Sequence, residues 1–252
     1  MSFTSGADQY DRFMGRYSAP LAPVFTDFAR LADRARVLDV GCGPGALARE
    51  LVSRMGPPAV CAVDPSDAFV EAARERVPGL RVERAVAEAL PFEDEVFDAA
   101  LAQLVVHFMA DPLGGLREMR RVTKASGVVA ACVWDHAGGH GPLGVFWEAA
   151  RVLDVDVDDE SSRAGARRGH LGELFEAAGL RDIEEGAVSV EVEHRSFEEW
   201  WEPFTLGVGP AGAFVASLSA TEQEQLRELC KERLPAAPFV VSARAWAARG
   251  LT

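Results

Sequence analysis

Three glycines at alternate positions, Gly41, Gly43 and Gly45, link the apolar run of VLDVGCGPG to a helix-forming stretch. Glycine in such a turn lets a ligand approach the main chain with no Cβ in the way, and the following helix N-terminus presents unpaired N–H groups. The spacing is GxGxG rather than the GxGxxG of a dinucleotide fingerprint. Asp39 sits beside the glycines; a carboxylate there repels a pyrophosphate but suits a ligand carrying positive charge. A second acid, Asp64, ends the next apolar run about 20 residues on, where a carboxylate accepts hydrogen bonds from both hydroxyls of a ribose. Loop and acid together specify an adenosine-containing ligand.

These side chains converge only if the runs before them are neighbouring strands. The pattern supports that: strands at Arg36–Val40, Ala59–Val63, Leu80–Ala85, Phe97–Ala102 and Gly127–Trp134 alternate with helices at Ala46–Met55, Ser66–Val77 and from Asp111-Pro112 to Val122. Strands apolar on both faces, separated by helices, predict a doubly wound, mostly parallel α/β sheet with ligands beyond its carboxyl edge. A helical candidate at Pro20–Leu31 precedes the first strand. After Trp134 come the glycine-rich DHAGGHGPLG and helices at Val145–Leu153 and Leu171–Ala178, the second closed by Gly179. Val188, Val190 and Val192 then alternate with polar residues as a strand. Helical pieces at Phe197–Phe204 and Ser219–Leu234 follow, the latter opened by Ser219 and Glu222 at capping-box spacing. A strand at Phe239–Ala247 ends the chain.

Composition narrows the partners. The 252 residues carry 26 Lys+Arg against 39 Asp+Glu, a net charge of −13. Nucleic acids and anionic membranes are therefore disfavoured partners, and the basic run Arg163 to Arg168 reads as a solvated face. No run reaches the roughly 18–20 apolar residues of a spanning helix. The start, MSFTSGADQYDRF, lacks the features of a signal peptide, so a cytoplasmic protein, monomer or homodimer, is expected. Cys42, Cys61, Cys132 and Cys230 form no CxxC or Cys/His cluster, so no metal site is expected.

Four segments together, VLDVGCGPG, VDPS at 63–66, AEALPFEDEVFDAALAQLVVHF at 87–108 and EMRRVTKASGVVAACVW at 118–134, resemble the class I S-adenosylmethionine-dependent methyltransferases, in particular the group that includes ubiquinone/menaquinone-pathway enzymes. The resemblance covers about residues 10 to 135 and implies a seven-stranded Rossmann-like sheet with a helical cap inserted late in the chain. It implies S-adenosylmethionine as cofactor and S-adenosylhomocysteine as product. Gly41, Cys42 and Gly43 would contact the amino-acid part, Asp64 the ribose and Pro65 the adenine face, with Ala87 and Glu88 at the adenine edge. Gln103 would stand near the methyl group. Val86 replaces an Asp common in relatives, which passes the adenine N6 contact to Glu88 or removes it. YDRFMGRYS, residues 10–18, looks like the family's segment that folds over the cofactor, with Arg16 pairing its carboxylate and Tyr10 and Phe13 closing the pocket.

The resemblance further implies an in-line displacement of the sulfonium methyl onto a small-molecule acceptor, without a metal. His107, just after the fourth strand, is the candidate general base; His136 and His140 lie on the loop after the fifth. Trp200, Trp201 and Phe204 are candidate cap aromatics facing the acceptor. The expected organisation is an N-terminal closing segment (1–35), a cofactor core (36–135), remaining core elements with the inserted cap (136–238) and a final strand (239–252). Two other readings are weighed: a nicotinamide dehydrogenase, disfavoured by the glycine spacing, and a methyltransferase-fold protein that binds the cofactor without turnover.

Overall fold

The computed structural model describes residues 6–154 and 156–252; expectations for residues 1–5 lie outside them. α1 (Ala7–Tyr10) runs through a π-turn at Asp11–Gly15 into α2 (Arg16–Ala29). There follow β1 (Val37–Val40), α3 (Ala46–Met55), β2 (Val60–Asp64), α4 (Asp67–Arg76), β3 (Arg81–Arg84) and β4 (Phe97–Gln103). α5 (Pro112–Val122), β5 (Thr123–Trp134), α6 (Gly144–Leu153), α7 (His170–Ala177) and β6 (Arg181–His194) come next. α8 (Phe197–Trp201), α9 (Gly209–Ser217), α10 (Ala220–Arg233) and β7 (Phe239–Leu251) complete the chain.

The strands form a seven-stranded sheet in the order β3-β2-β1-β4-β5-β7-β6. β1 to β5 pair in parallel, and β7 runs antiparallel to both β5 and β6. This is the doubly wound, Rossmann-like architecture. Alternate side chains of each strand enter opposite layers, as the pleat requires. Val37, Ala62, Leu101 and Ala130 pack with Leu21 and Phe25 of α2 and Leu47 and Leu51 of α3. Leu38, Val63, Ala100 and Ala131 pack with Leu116 and Met119 of α5 and Phe175 of α7. The order reverses at β1/β4, so the carboxyl ends of β1, β2 and β4 flank the switch point at which such sheets bind ligands.

Local chemistry sets several boundaries. Asp111 caps α5, its carboxylate accepting from Gly114 N at 2.9 Å, with Pro112 at the first helical position. Ser219 and Glu222 form the reciprocal capping box of α10. Other elements differ from expectation. The N-terminal helix begins at Arg16 rather than Pro20, because prolines at 20 and 23 lie within the first turns of an α2 already nucleated by the preceding helical residues. The stretch 197–204 splits into α8 and a 3-10 turn at Glu202–Leu206, where Pro203 supplies no N–H. α9 has no apolar period to betray it; its glycines and alanines are small all round.

A third apolar cluster joins Leu143, Phe146 and Trp147 to Phe197, Trp200, Trp201 and Phe204, then to Leu226 and Cys230. This helical layer, drawn from α6 and α8–α10, lies beside the sheet. Phe13 of the N-terminal segment inserts into it, 5.1 Å edge-on from the Phe204 ring. No helix among the described residues is long and apolar enough to cross a membrane.

Candidate active site

A pocket of about 460 Å³ opens over the carboxyl ends of β1, β2 and β4. The glycine loop forms its floor because both Gly41 N and Cys42 N donate to Val63 O of β2, at 2.8 and 2.9 Å. Gly41 has φ +71°, and a Cβ there would lie 2.5 Å from Val105 Cγ1, so both backbone conformation and space demand glycine. Asp64 ends β2 and faces the loop. Its Oδ2 accepts from Gly43 N at 2.9 Å and its Oδ1 from Ser66 N at 2.8 Å. Each oxygen keeps a second lone pair for a ligand donor.

Asp39 is 1% exposed, and its Oδ2 has no hydrogen-bond partner. Burial pushes its carboxyl up to about 8, the Asp64 charge adds to the rise, and the Ala48 N–H alone opposes it. Burial also raises Asp64, against the two backbone donors that lower it. The same burial, followed by the charges of Asp39 and Asp64, holds the Cys42 thiol protonated. Two buried carboxyls lacking a cation beside an open volume form a site suited to positive charge.

Gln103 ends β4, donates Nε2 to Ser18 O at 3.0 Å, and leaves its buried Oε1 unpartnered. That bond ties α2 to the sheet across the pocket. Tyr10, Pro65 and Ala87 also line it. Glu88 lines it too, with Oε1 engaged by Asp111 N at 3.1 Å. Val86 stands at the rim, 46% exposed, offering no hydrogen bond where an acid would. Sequence reasoning missed several lining residues. Phe69 sits at an apolar helix position that reads as core, yet its ring meets Tyr10 edge-on at 5.3 Å. Leu104, Val105, Phe108 and Met109 follow β4 and wall the pocket; proximity to a strand end was their available signal.

Eight expected site residues, Phe13, Arg16, His107, His136, His140, Trp200, Trp201 and Phe204, do not line this pocket. Arg16 Nη1 lies 3.0 Å from His194 Nδ1 and donates to Glu199 O at 3.2 Å; it therefore joins α2 to the β6–α8 corner. Tyr17 Oη completes that cluster, 2.9 Å from His194 Nε2. Burial and the Arg16 charge depress His194 to about 4. Trp200 and Trp201 are buried in the aromatic layer, with the Trp200 ring 4.8 Å from Phe204. Phe13, Arg16, His194 and Trp200 border a gap of only 10 Å³. His140 lies off the pocket as well, its Nδ1 3.2 Å from Asp135 Oδ2.

The remaining two, His107 and His136, are drawn into a separate buried group with Glu160. His107 lies in a 3-10 turn after β4, His136 just beyond β5, and Glu160 in the loop after α6. Burial lowers both imidazoles, His136 to about 4, with the Arg163 charge adding to each. Burial raises Glu160 to about 7, against the lowering effect of Arg163.

Comparison with known proteins places this geometry. Residues 38–131 match the methyltransferase domain family. The chain is 35% identical over 181 residues to a malonyl-[acyl-carrier protein] O-methyltransferase of Halorhodospira halophila, covering 65% of this chain and 59% of that protein. It spans less than two thirds of the length of each of the first curated relatives it matches. Among solved structures, a Thermotoga maritima S-adenosylmethionine-dependent methyltransferase, described as a possible histamine N-methyltransferase, superposes with TM-score 0.58 at 20% identity, covering 97% of this chain and 94% of that one. A Haemonchus contortus phosphoethanolamine N-methyltransferase, solved with S-adenosylhomocysteine, does so with TM-score 0.57 at 20% identity, covering 92% and 52%. The strand ends that build the pocket thus lie within residues 38–131, the stretch that matches the methyltransferase domain.

Proposed function

We propose that the protein is a methyltransferase that moves a methyl group from S-adenosylmethionine to a small-molecule acceptor by in-line displacement, releasing S-adenosylhomocysteine. The observation that carries this reading is the buried Asp39 carboxyl, its Oδ2 without a hydrogen-bond partner, beside a glycine-floored volume that ends at Asp64. When bound, the cofactor supplies an electrophilic sulfonium methyl. Asp64 accepts from the ribose hydroxyls while Gly43 and Ser66 hold it in place. Asp39 ionises against the cofactor's positive charge. Gly41, Cys42 and Gly43 admit the amino-acid part, Pro65 packs on the adenine, and Ala87 and Glu88 meet its edge. Gln103 and the apolar Leu104, Val105 and Phe108 border the methyl end, with Tyr10 closing over it.

Charge is neutralised in this transition state, so rate comes from alignment and exclusion of water rather than from charge stabilisation. Arg16, His107, His136, Trp200 and Trp201 stand outside the pocket and are given no role in this reading. Among the described residues no histidine lines the pocket, which favours one second reading, cofactor binding without turnover. Incubation with methyl-labelled S-adenosylmethionine and an extract of the source organism separates the two. A labelled small molecule supports transfer. S-adenosylhomocysteine binding without any labelled product supports the binding-only reading.

A further inference from the structure

Among the described residues, His107, His136 and Glu160 form a buried group off the pocket, with Trp147 and Arg163 beside Glu160. His107 is 7% exposed, His136 6% and Glu160 2%. His107 Nδ1, His136 Nε2 and Glu160 Oε2 are all buried without a hydrogen bond. A buried polar atom left unpaired costs about 1–3 kcal/mol, so three in one place call for a shared occupant. One potential ligand atom from each residue lies within 4.8 Å of the others.

We propose that His107, His136 and Glu160 bind a divalent transition-metal ion of the zinc class, at a site distinct from the methyl-transfer pocket. Two imidazoles and one carboxylate are the donors that zinc and its first-row neighbours take, whereas calcium and magnesium require mostly oxygen ligands. Zinc bonds of about 2.0–2.2 Å hold ligand atoms closer together than 4.8 Å, so binding draws the three side chains inward. Water fills the fourth position, since no fourth protein ligand joins the group among the described residues. The Arg163 guanidinium acts electrostatically on all three groups and is itself paired with Asp158 at 3.0 Å. Asp135 and Asp159 act on His136 in the opposite sense, the first paired with Arg244 and the second with Arg151.

The site would fasten three loops that share no secondary structure: the turn after β4, the turn after β5 and the loop after α6. Its consequence for the pocket passes through Phe108, which lines that pocket and lies 3.9 Å, centroid to centroid, from the His107 ring. The ion thereby stiffens the pocket wall without touching cofactor.

Titration of chelator-stripped protein with Co2+ and with Zn2+ tests this. One Co2+ per chain is expected, with ligand-field absorption in the visible and no thiolate charge-transfer band, and Zn2+ should displace it and raise Tm. Glu160→Gln and His136→Ala should abolish the spectrum, while His140→Ala, at the exposed neighbouring imidazole, should keep it. S-adenosylhomocysteine calorimetry on each variant reports its folding. Absence of stoichiometric uptake by the wild type, a thiolate band, or uptake unchanged in a folded variant would overturn the proposal. Should His136→Ala misfold, Glu160→Gln and the wild-type spectrum decide the outcome by the same criteria.

Discussion

The pocket over β1, β2 and β4 and the aromatic layer beside it both lie along the sheet's carboxyl edge, yet they solve opposite problems. The pocket surrounds about 460 Å³ with carboxyls and an amide, among which Asp39 Oδ2 and Gln103 Oε1 are buried without a partner. The layer fills its space with rings, Phe146 and Phe204 stacked at 4.5 Å, and leaves 10 Å³. Tryptophans and phenylalanines suit an acceptor site and a core equally. What separates the two is whether unpaired polar atoms face open volume. The histidine–glutamate group also carries unpaired atoms, and one potential ligand atom from each residue lies within 4.8 Å of the others.

Perturbing each region should therefore move a different observable. The largest effect is expected in the layer: Trp200→Ala should cost about 3–5 kcal/mol of stability by denaturant unfolding while the surviving folded protein binds S-adenosylhomocysteine as before. A comparable loss of affinity would erase the distinction.

Next comes pH. Asp39 holds its proton up to about 8 in the ligand-free pocket, and the cationic ligand favours the ionised form. Affinity should rise between pH 6 and 8, by at most about tenfold per unit, with the slope absent in Asp39→Asn. The same raised value means that the folded state binds the extra proton. Ligand-free stability should therefore be fully present below the unfolded value of 3.8 and decline as pH rises toward 8, and Asp39→Asn should remove that decline.

Gly41→Ala follows, with about 1–3 kcal/mol lost to positive φ and the Val105 contact, read as a lower Tm together with weaker binding. The smallest effect is sought in Arg16→Ala. Its guanidinium serves His194 and Glu199, so S-adenosylhomocysteine affinity should stay within about 1 kcal/mol of wild type, the scale of an indirect effect. A larger loss would restore Arg16 to the cofactor site.

What was readable in the sequence had local causes. The glycine loop, Asp64 at a strand end, the Asp111-Pro112 cap and the Ser219–Glu222 box each act within a few residues, and each stands where the pattern put it. Contacts set by distant partners were not readable. Arg16 meets groups 178 and 183 positions away, and those partners, rather than its basic charge, fix where it points. Glu160 drew no expectation, since an acid in an acidic loop carries no period or motif. Only packing shows it to be buried, with a backbone at φ +65°. Val86, by contrast, was legible as a departure from the resemblance, and it stands exposed on the pocket rim.

The central claim is that the glycine loop and Asp64 hold an adenosine cofactor, and calorimetric titration of S-adenosylhomocysteine into wild type and Asp64→Ala tests it directly. Wild type should bind one molecule per chain. Asp64→Ala should lose about 3 kcal/mol or more, since hydrogen bonds to a charged group contribute about 1.5–3 kcal/mol each and two ribose hydroxyls are at stake. No binding by wild type, or equal affinity in both proteins, would contradict the account.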